Sequence, residues 1–343
     1  MAKKKQKKQL PAQAHTGGRA GAQAFSFGDP ESVMTGRLSQ YLGVYLLHNG
    51  RYYQTPTPLT GLARLLRANA YHWPMLEFKA NMILRGFIDS PALPRETMKK
   101  AVIDYLVFAN AYLQRQRNFL GKTLRLTHLP AINMRRGKDP DTYCQLRLDG
   151  KEIMFEPGEV LHIKNYEVSQ DIYGLPSYYG AIQSMLLQED ATLFRRRYYR
   201  NGAHMGYIFY SSSAYLDKDD EEALRKAIKT SKGVGNFRNL FLHIPNGREK
   251  DIQILPVGDF STKDDLEKIK NISRDDIIAA HRIPPALANI IPQVAGGLGD
   301  IEKADRVYVR NEIVPLREEL AIVNRELPRE QQVRFPAPPP EPE

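Results

Sequence analysis

The chain has 343 residues, a net charge of +10 and a pI near 9.4, and 42% of its residues are hydrophobic. This composition predicts a soluble, mostly globular protein with one large domain or two. No apolar run reaches the roughly 18 residues of a transmembrane helix, and none follows the basic N-terminus as in a secretory signal. The single cysteine, Cys144, excludes an internal disulfide and a cysteine-rich zinc site, and favours a reducing cytoplasm.

Positive charge is concentrated at the N-terminus, where five of the first eight residues are lysines. A cationic excess favours polyanions, and neutralising phosphates releases counterions whatever the base sequence. Charge alone is equally compatible with nucleic-acid binding and with a solubilising tail. Residues 1–29 are too poor in large apolar side chains to offset their ordering entropy, so they are predicted to form a disordered basic arm.

The first predicted elements are helical. The leucine spacing within residues 56–87 indicates a pair of helices, broken at Pro74. A further helix is predicted from Arg95 to about Gln116, after Pro94.

Alternating residues between Lys122 and Lys164 predict a small sheet. Its strands are expected at residues 124–127, 143–148 and 160–163. Asp149-Gly150 is typical of a hairpin turn.

A long helix is predicted from Ser177 to Arg200, where Asn201-Gly202 ends it. An α/β insert over residues 203–258 is expected to follow. Its elements are strands at 207–210, 240–244 and 252–256 and a helix at 219–230.

The C-terminal part is predicted to contain two more helices. The first runs from Thr262 to about His281 and ends before Pro284-Pro285, because proline disfavours helix in the residue before it. The second runs from Asp300 to about Arg325, with a kink at Pro315. Residues 326–343 are predicted to form a proline-rich tail, and its end at 335–343 is expected to be extended because it lacks the amide donors for a helix or sheet.

No catalytic motif is complete. Gly121-Lys122-Thr123 resembles the end of a phosphate-binding loop, but Gln116 occupies the place of the required glycine, and a predicted helix precedes it where a strand is needed. The eight histidines lack metal-ligand spacing, and no serine or cysteine stands in a nucleophile turn. We therefore predict no catalytic residue, no metal, no cofactor and no enzymatic activity.

Acidic pairs are the remaining candidates for a metal-dependent nuclease, which needs converging carboxylates. They occur at Asp219-Asp220-Glu221-Glu222, Asp264-Asp265 and Asp275-Asp276. Each pair lies at a predicted helix start or on a helix surface, where acidic groups favour the N-terminal dipole. The structural interpretation is preferred, and the nuclease stays as an alternative.

Two other segments stand out. Arg195-Arg196-Arg197 and Arg200 end the long helix, where cations favour the helix dipole and some could face phosphate. Residues 292–299 contain three glycines in four positions, which indicates either an ordinary connector or a loop that adapts to a varying neighbour.

Several motifs in order carry a resemblance to a known family. Tyr173-Gly174-Leu175-Pro176-Ser177, the helix closing in Tyr199-Arg200-Asn201-Gly202-Ala203, and the run Ile277 to Leu287 with its two prolines are similar to portal proteins of tailed bacteriophages. The resemblance covers roughly residues 30–325 and is nearest to the P2-like branch.

The resemblance implies an α+β portal-type fold with a mixed wing domain, two long stem helices, a small α/β clip, a tunnel loop and a long C-terminal helix. The implied order is a wing at 30–176, a stem helix at 177–201, the clip at 202–261, a second stem helix at 262–283, the tunnel loop at 284–299, and the long helix at 300–325 on the wing and crown side.

The implied function is a subunit of a ring, usually dodecameric, at one capsid vertex of the virion, assembled in the host cytoplasm. The expected partners are double-stranded DNA held without base readout, terminase, capsid or scaffold, and tail-completion proteins, with no membrane. The expected tunnel-loop contacts to DNA are Gln293, Val294, Gly296, Gly297, Leu298 and Gly299. The expected basic stem residues are Arg195, Arg196, Arg197, Arg200, Lys263 and Lys268. The other alternative is a basic DNA-binding adaptor of a phage particle.

Overall fold

A computed structural model describes residues 50–200, 207–211, 239–243, 252–256, 262–288 and 300–336, with the backbone alone between 197 and 266. The predicted basic arm, the predicted helix at 219–230 and most of the predicted tunnel loop lie outside the described residues.

Three helices begin the described chain: α1 (Leu59–Leu65), α2 (His72–Leu84) and α3 (Arg95–Phe108). The predicted break at Pro74 is wrong, because Pro74 lies in the first turn of α2, where a backbone amide needs no helical partner. The chain is instead interrupted at residues 66–71. There Asn69 Oδ1 accepts hydrogen bonds from the amides of Tyr71 at 3.0 Å and His72 at 2.9 Å.

The prediction that α3 continues to Gln116 is also wrong. The helix ends at Phe108, Ala109 takes a left-handed conformation with φ of 56°, and residues Asn110–Arg117 form strand β1. The side chain of Asn110 stabilises this turn, since its Nδ2 donates to the carbonyl of Phe108 at 2.7 Å. A buried polar contact thus outweighs the helix-forming composition of the segment.

Two antiparallel sheets follow. The first has the order β2-β1-β6, with β2 at Thr123–Leu129 and β6 at Val160–Lys164. The second has the order β3-β4-β5, with strands Met134–Arg136, Tyr143–Leu146 and Glu152–Phe155. The predicted strands are confirmed, whereas the short strands β3 and β5 were missed.

Strand β1 lies between two hydrophobic cores. Ala111 and Leu113 belong to the core shared with α2 and the C-terminal helices, while Tyr112 belongs to the core shared with α1 and the start of the long helix. This division follows from the alternation of side chains along a strand.

The long helix α4 spans Ile182–Arg200 and follows a 3-10 turn at Tyr179–Ala181, so the α-helix starts later than the predicted Ser177. Beyond it, β7 (Tyr207–Ser211) pairs parallel with β8 (Asn239–His243) and antiparallel with β9 (Ile252–Pro256). The next helix, α5, spans Thr262–Ala280. The three predicted strands of the insert and the predicted helix from Thr262 are confirmed.

The C-terminal helical segment changes its winding three times. It consists of α6 (Ile301–Tyr308), a π-helical segment at Val309–Ile313, α7 (Val314–Leu320) and a 3-10 segment at Ala321–Glu326. The irregularity precedes Pro315, whose ring crowds the carbonyl one turn earlier and whose nitrogen cannot donate. The predicted kink thus takes the form of a π-helical segment.

The start of the predicted proline-rich tail, up to residue 336, packs against the rest of the chain. Residues 337–343 lie outside the described residues. Gln331 is buried and donates from Nε2 to the carbonyl of Thr123 at 2.5 Å. Arg334 forms a β-bridge with Ile88, and the ring of Phe335 lies 5.6 Å from that of Phe87. These residues close the first core, because apolar side chains interrupt the proline-rich composition.

Candidate functional site

Helices α4 and α5 form an antiparallel pair. Ser273 Oγ donates to Gln188 Oε1 at 2.7 Å, and Ser184 Oγ donates to Asp276 Oδ2 at 3.0 Å. The residue numbers rise along one helix as they fall along the other, which gives the antiparallel direction. Gln188 and Ser273 are both buried, so this hydrogen bond satisfies two polar groups within the pair.

The base of the pair, meaning the end formed by the start of α4 and the end of α5, is enclosed by the rest of the chain. Met185 and Ile277 have no exposed surface and belong to the core that also contains α1 and Tyr112. Tyr178 is buried as well and donates from its hydroxyl to the carbonyl of Val107 at 2.6 Å. The chain itself therefore holds the base in place.

Two buried histidines join α2 to the base. His72 Nδ1 lies 2.9 Å from His281 Nε2, and the rings stack with centroids 5.0 Å apart. Burial lowers the pKa of His72 to about 4 and that of His281 to about 2, the latter lowered further by His72 and Lys79. Both imidazoles are therefore neutral at pH 7, and one of the two facing nitrogens donates a hydrogen bond to the other.

An ion pair joins α2 to the π-helical segment beside the histidines. Lys79 Nζ lies 2.7 Å from Glu312 Oε1, with side chains only 5% and 15% exposed. Burial lowers the pKa of Lys79. The negative charge of Glu312 raises this pKa in part, and the positive charge of Arg282 lowers it further. Arg282, whose φ is 54°, lies 3.7 Å from Glu312 through Nη1, so residue 312 contacts both flanking cations.

The Tyr173-Gly174 motif has a structural role at the start of the pair. A Cβ atom at Gly174 would lie 2.2 Å from the carbonyl oxygen of Ala109, so only glycine fits there. The amide of Gly174 donates to Asn110 Oδ1 at 2.9 Å, and Tyr173 donates from its hydroxyl to the carbonyl of Tyr53 at 2.8 Å. These contacts fix the chain where it leaves the first sheet.

The outer half of the pair, away from the base, exposes large apolar side chains. Leu187 is 48% exposed, Phe194 38% and Ile272 63%. Leu187 and Phe194 are seven residues apart, so they lie on the same side of α4. In the antiparallel pair, Ile272 lies on the corresponding side of α5. We call Leu187, Phe194 and Ile272 the stem strip.

The predicted basic stem residues are only partly described. Arg195, Arg196 and Lys268 are exposed on the outer half of the pair. The pKa of the nearby Lys270 is lowered by partial burial and then by the charge of Arg195. The side chains of Arg197, Arg200 and Lys263 lie outside the described residues. So do the predicted tunnel-loop residues Gln293, Val294, Gly296, Gly297, Leu298 and Gly299.

The described acidic pair does not form a metal site. Asp275 Oδ1 accepts from Arg274 Nε at 2.9 Å, while Asp276 accepts from Ser184 on the other helix. Over the described ranges, no group of three or more His, Cys, Asp or Glu side chains could hold a metal ion. In the same ranges, no helix is long and apolar enough to cross a membrane.

The Gly121-Lys122-Thr123 motif lies in a hairpin. Strand β1 precedes it, which corrects the expected helix, but β2 follows it directly, so there is no helix N-terminus to receive phosphate. Gly121 has a φ of 77°, as the turn requires. The hairpin agrees with the prediction that this motif is not a phosphate-binding loop, although a strand and not a helix precedes it.

Known proteins are similar to this chain in sequence and in fold. The family model described as "Phage portal protein" matches residues 80–335. The chain is 42% identical to the "Probable portal protein" of Escherichia phage P2, over 94% of each chain. It is 39% identical to the "Probable portal protein" of Haemophilus phage HP1, over 82% of this chain and 83% of that protein.

Solved structures share the fold at low identity. An HK97 family phage portal protein from Corynebacterium diphtheriae matches with a TM-score of 0.54 and 14% identity, over 80% of this chain and 94% of that one. The neck of a native gene transfer agent particle, solved with C12 symmetry, matches with a TM-score of 0.54 and 20% identity, over 76% and 79%.

The mixed helix and sheet fold is shared with solved portal proteins. The chain belongs to the phage portal protein family. Within the family it is P2-like, and its function is that of a portal, the head–tail connector of a tailed phage.

Proposed function

We propose that the chain assembles into a closed homo-oligomeric ring, a dodecamer, whose channel conducts double-stranded DNA during packaging and ejection. In this proposal α4 and α5 are the stem, residues 30–176 the wing, 202–261 the clip and 284–299 the tunnel loop. The ring occupies the portal vertex of the virion after assembly in the host cytoplasm. It binds terminase, capsid or scaffold, and tail-completion proteins, and it is not an enzyme.

The stem strip is the observation that best supports the proposed ring. Exposed apolar side chains that share one side of a helix pair are typical of a protein interface. A ring of more than two subunits needs two different surfaces on each subunit, because each copy meets its neighbours head to tail. The other side of the pair differs, since helical spacing places Glu189, Arg196 and Arg274 there.

The basic residues of the outer stem fit a passing duplex. DNA has to slide, so contacts should be weak, directed at phosphates and independent of base sequence. A ring multiplies each cation by the number of subunits, so one or two arginines of each chain suffice to line a channel. The glycines of the tunnel loop, Gly296, Gly297 and Gly299, would let each subunit adapt to the duplex.

The ring is tested by measuring the mass of the full chain by mass photometry and by imaging it with negative-stain electron microscopy. We expect closed rings, and we expect the double variant Phe194→Asp/Ile272→Asp to reduce them at least about tenfold, because it buries charge in an apolar contact. Leu148→Asp is the matched control, since Leu148 is fully exposed on the β4–β5 hairpin. A native chain that stays monomeric at all salt and protein concentrations would overturn the ring and favour the DNA-binding adaptor.

A further inference from the structure

The first sheet carries an exposed apolar patch at each of its two ends. We call residues 117–125, at the turn between β1 and β2, the basic tip. We call residues 165–172, which follow β6, the acidic loop. The stem strip does not account for either patch, because both lie on the sheet and not on α4 or α5.

The basic tip presents its apolar side chains on an ordered turn. Phe119 is 96% exposed and Leu120 78%. Asn118 Oδ1 accepts from the amides of Leu120 at 3.0 Å and Lys122 at 2.9 Å, and the amide of Asn118 donates to the carbonyl of Lys122 at 2.9 Å. The turn is therefore fixed by its own hydrogen bonds while its two largest side chains face solvent.

The acidic loop is ordered in a similar way. Tyr166 is 76% exposed and Val168 83%. Glu167 Oε1 accepts from the amide of Ser169 at 3.1 Å, and Gln170 Oε1 accepts from the amide of Ile172 at 2.8 Å. Side chains of the loop thus satisfy its backbone and leave Tyr166 and Val168 without cover from the described chain.

The two patches carry opposite charge. The basic tip contains Arg117, Lys122 and Arg125 and no acidic residue. The acidic loop contains Glu167 and Asp171 and no basic residue. Asp171 is paired with Lys164 at 2.7 Å and Arg117 donates to the carbonyl of Gly158, so Lys122 and Arg125 on the tip and Glu167 on the loop are the charges best placed to attract a partner.

The two patches lie at opposite ends of one rigid element. Arg117 pairs with Thr123 at the tip end of β1, whereas Asn110 pairs with Lys164 at the loop end. Eight residues of strand separate these ends, which is roughly 25 Å at the usual rise. A single chain therefore cannot bring its own tip onto its own loop.

We propose that the basic tip of one copy docks on the acidic loop of the next copy around the ring. This inference rests on the proposed ring and adds a second contact to the stem strip. Two patches of like hydrophobicity and opposite charge on opposite ends of a subunit suit a head-to-tail contact, which closes into a ring where the rotation between neighbouring copies allows closure. A second copy of this chain is the partner that supplies both surfaces at once.

Cysteine crosslinking of the assembled full chain tests the contact. The double variant Leu120→Cys/Val168→Cys, treated with a short bismaleimide, should give a ladder of crosslinked chains up to the full ring on a denaturing gel. On the same gel each single variant should run as uncrosslinked monomers. An equimolar mixture of the two single variants should give crosslinked dimers and nothing larger. The native Cys144 is buried, which raises its pKa to about 11 and keeps it an unreactive thiol.

The control is Leu148→Cys/Val168→Cys, which places the first thiol on another fully exposed hairpin tip. It should give no ladder. Rings in the microscope with no ladder from the Leu120/Val168 variant would overturn this inference and leave the proposed function standing. Chains that remain monomeric by mass and give no ladder would overturn both.

Charge exchange gives an independent readout. Lys122→Glu should raise the chain concentration needed for half assembly about tenfold, and adding Glu167→Lys should restore the native value. Lys138→Glu, at an exposed lysine that belongs to neither patch, should leave assembly unchanged. Equal effects of Lys122→Glu and Lys138→Glu, without rescue, would contradict a contact between residues 122 and 167.

Discussion

The two halves of the stem pair differ in what surrounds them. At the base, Met185 and Ile277 have no exposed surface, and α2, α3 and the π-helical segment pack around the helices. In the outer half, Phe194 and Ile272 are 38% and 63% exposed, although such large apolar side chains are usually buried in a core. The base is thus completed within the described chain, whereas the outer half leaves apolar side chains exposed, which the proposed ring would cover.

The largest expected effect concerns the buried ion pair at the base. Glu312→Gln leaves Lys79 buried with no anion beside it and with Arg282 nearby. We expect a loss of about 3–4 kcal/mol in the free energy of unfolding, because an uncompensated charge has to be desolvated. Urea unfolding at low protein concentration, where the chain is unassembled, measures this loss.

Arg196→Gln is the control in the outer half, where the side chain is exposed and the expected change is within about 0.5 kcal/mol. The double variant Lys79→Met/Glu312→Leu should recover most of the loss, since it replaces the pair by apolar groups of similar size. Equal losses for Glu312→Gln and Arg196→Gln would contradict a difference between the two halves.

The second prediction compares two isoleucines on α5. Ile277→Ala should cost about 3 kcal/mol in the free energy of unfolding, since Ile277 is fully buried. Ile272→Ala should cost the isolated chain about 0.5 kcal/mol or less, yet reduce ring assembly. Paired urea unfolding and mass photometry separate the two effects, and a large cost at residue 272 in the unassembled chain would show that the strip is covered from within.

Sequence patterns predicted the elements whose own residues determine them. The long helices α4 and α5 and strands β2, β6 and β7 to β9 have regular periodicity, and each was found close to its predicted position. Strand β1 was misread because Leu113, Gln114 and Arg115 favour helix locally. Its conformation is set by Asn110, which contacts Gly174 sixty-four residues away.

The contacts that join α2 to the base could not be predicted from the sequence, because they too connect residues that are far apart in the chain. His72 and His281 are 209 residues apart, and Lys79 and Glu312 are 233 apart. Neither pair has a local spacing that would indicate contact. The packed segment around Val333 and Phe335 was missed because proline content obscured its apolar residues. The family resemblance implied an order of elements, but not these contacts.

The smallest expected effect is a pH dependence to which the two buried histidines of the base contribute. The unfolded chain binds protons at His72 and His281 as the pH falls below about 6.5, whereas the folded chain binds none until near the lowered pKa values of about 4 and about 2. The free energy of unfolding therefore decreases as the pH falls from 7 to 5.5. The expected loss is about 1.2 kcal/mol for each histidine.

Removing one of these histidines should flatten that dependence. We expect His281→Gln to lower stability at pH 7 and to reduce the loss between pH 7 and 5.5 by about 1.2 kcal/mol, because one fewer proton is taken up on unfolding. Arg196→Gln should leave the slope unchanged, since the described outer half contains no histidine. Urea unfolding at a series of pH values measures the slope. An unchanged slope in His281→Gln would mean that His281 binds its proton equally in both states, and the base would then be open to water like the outer half.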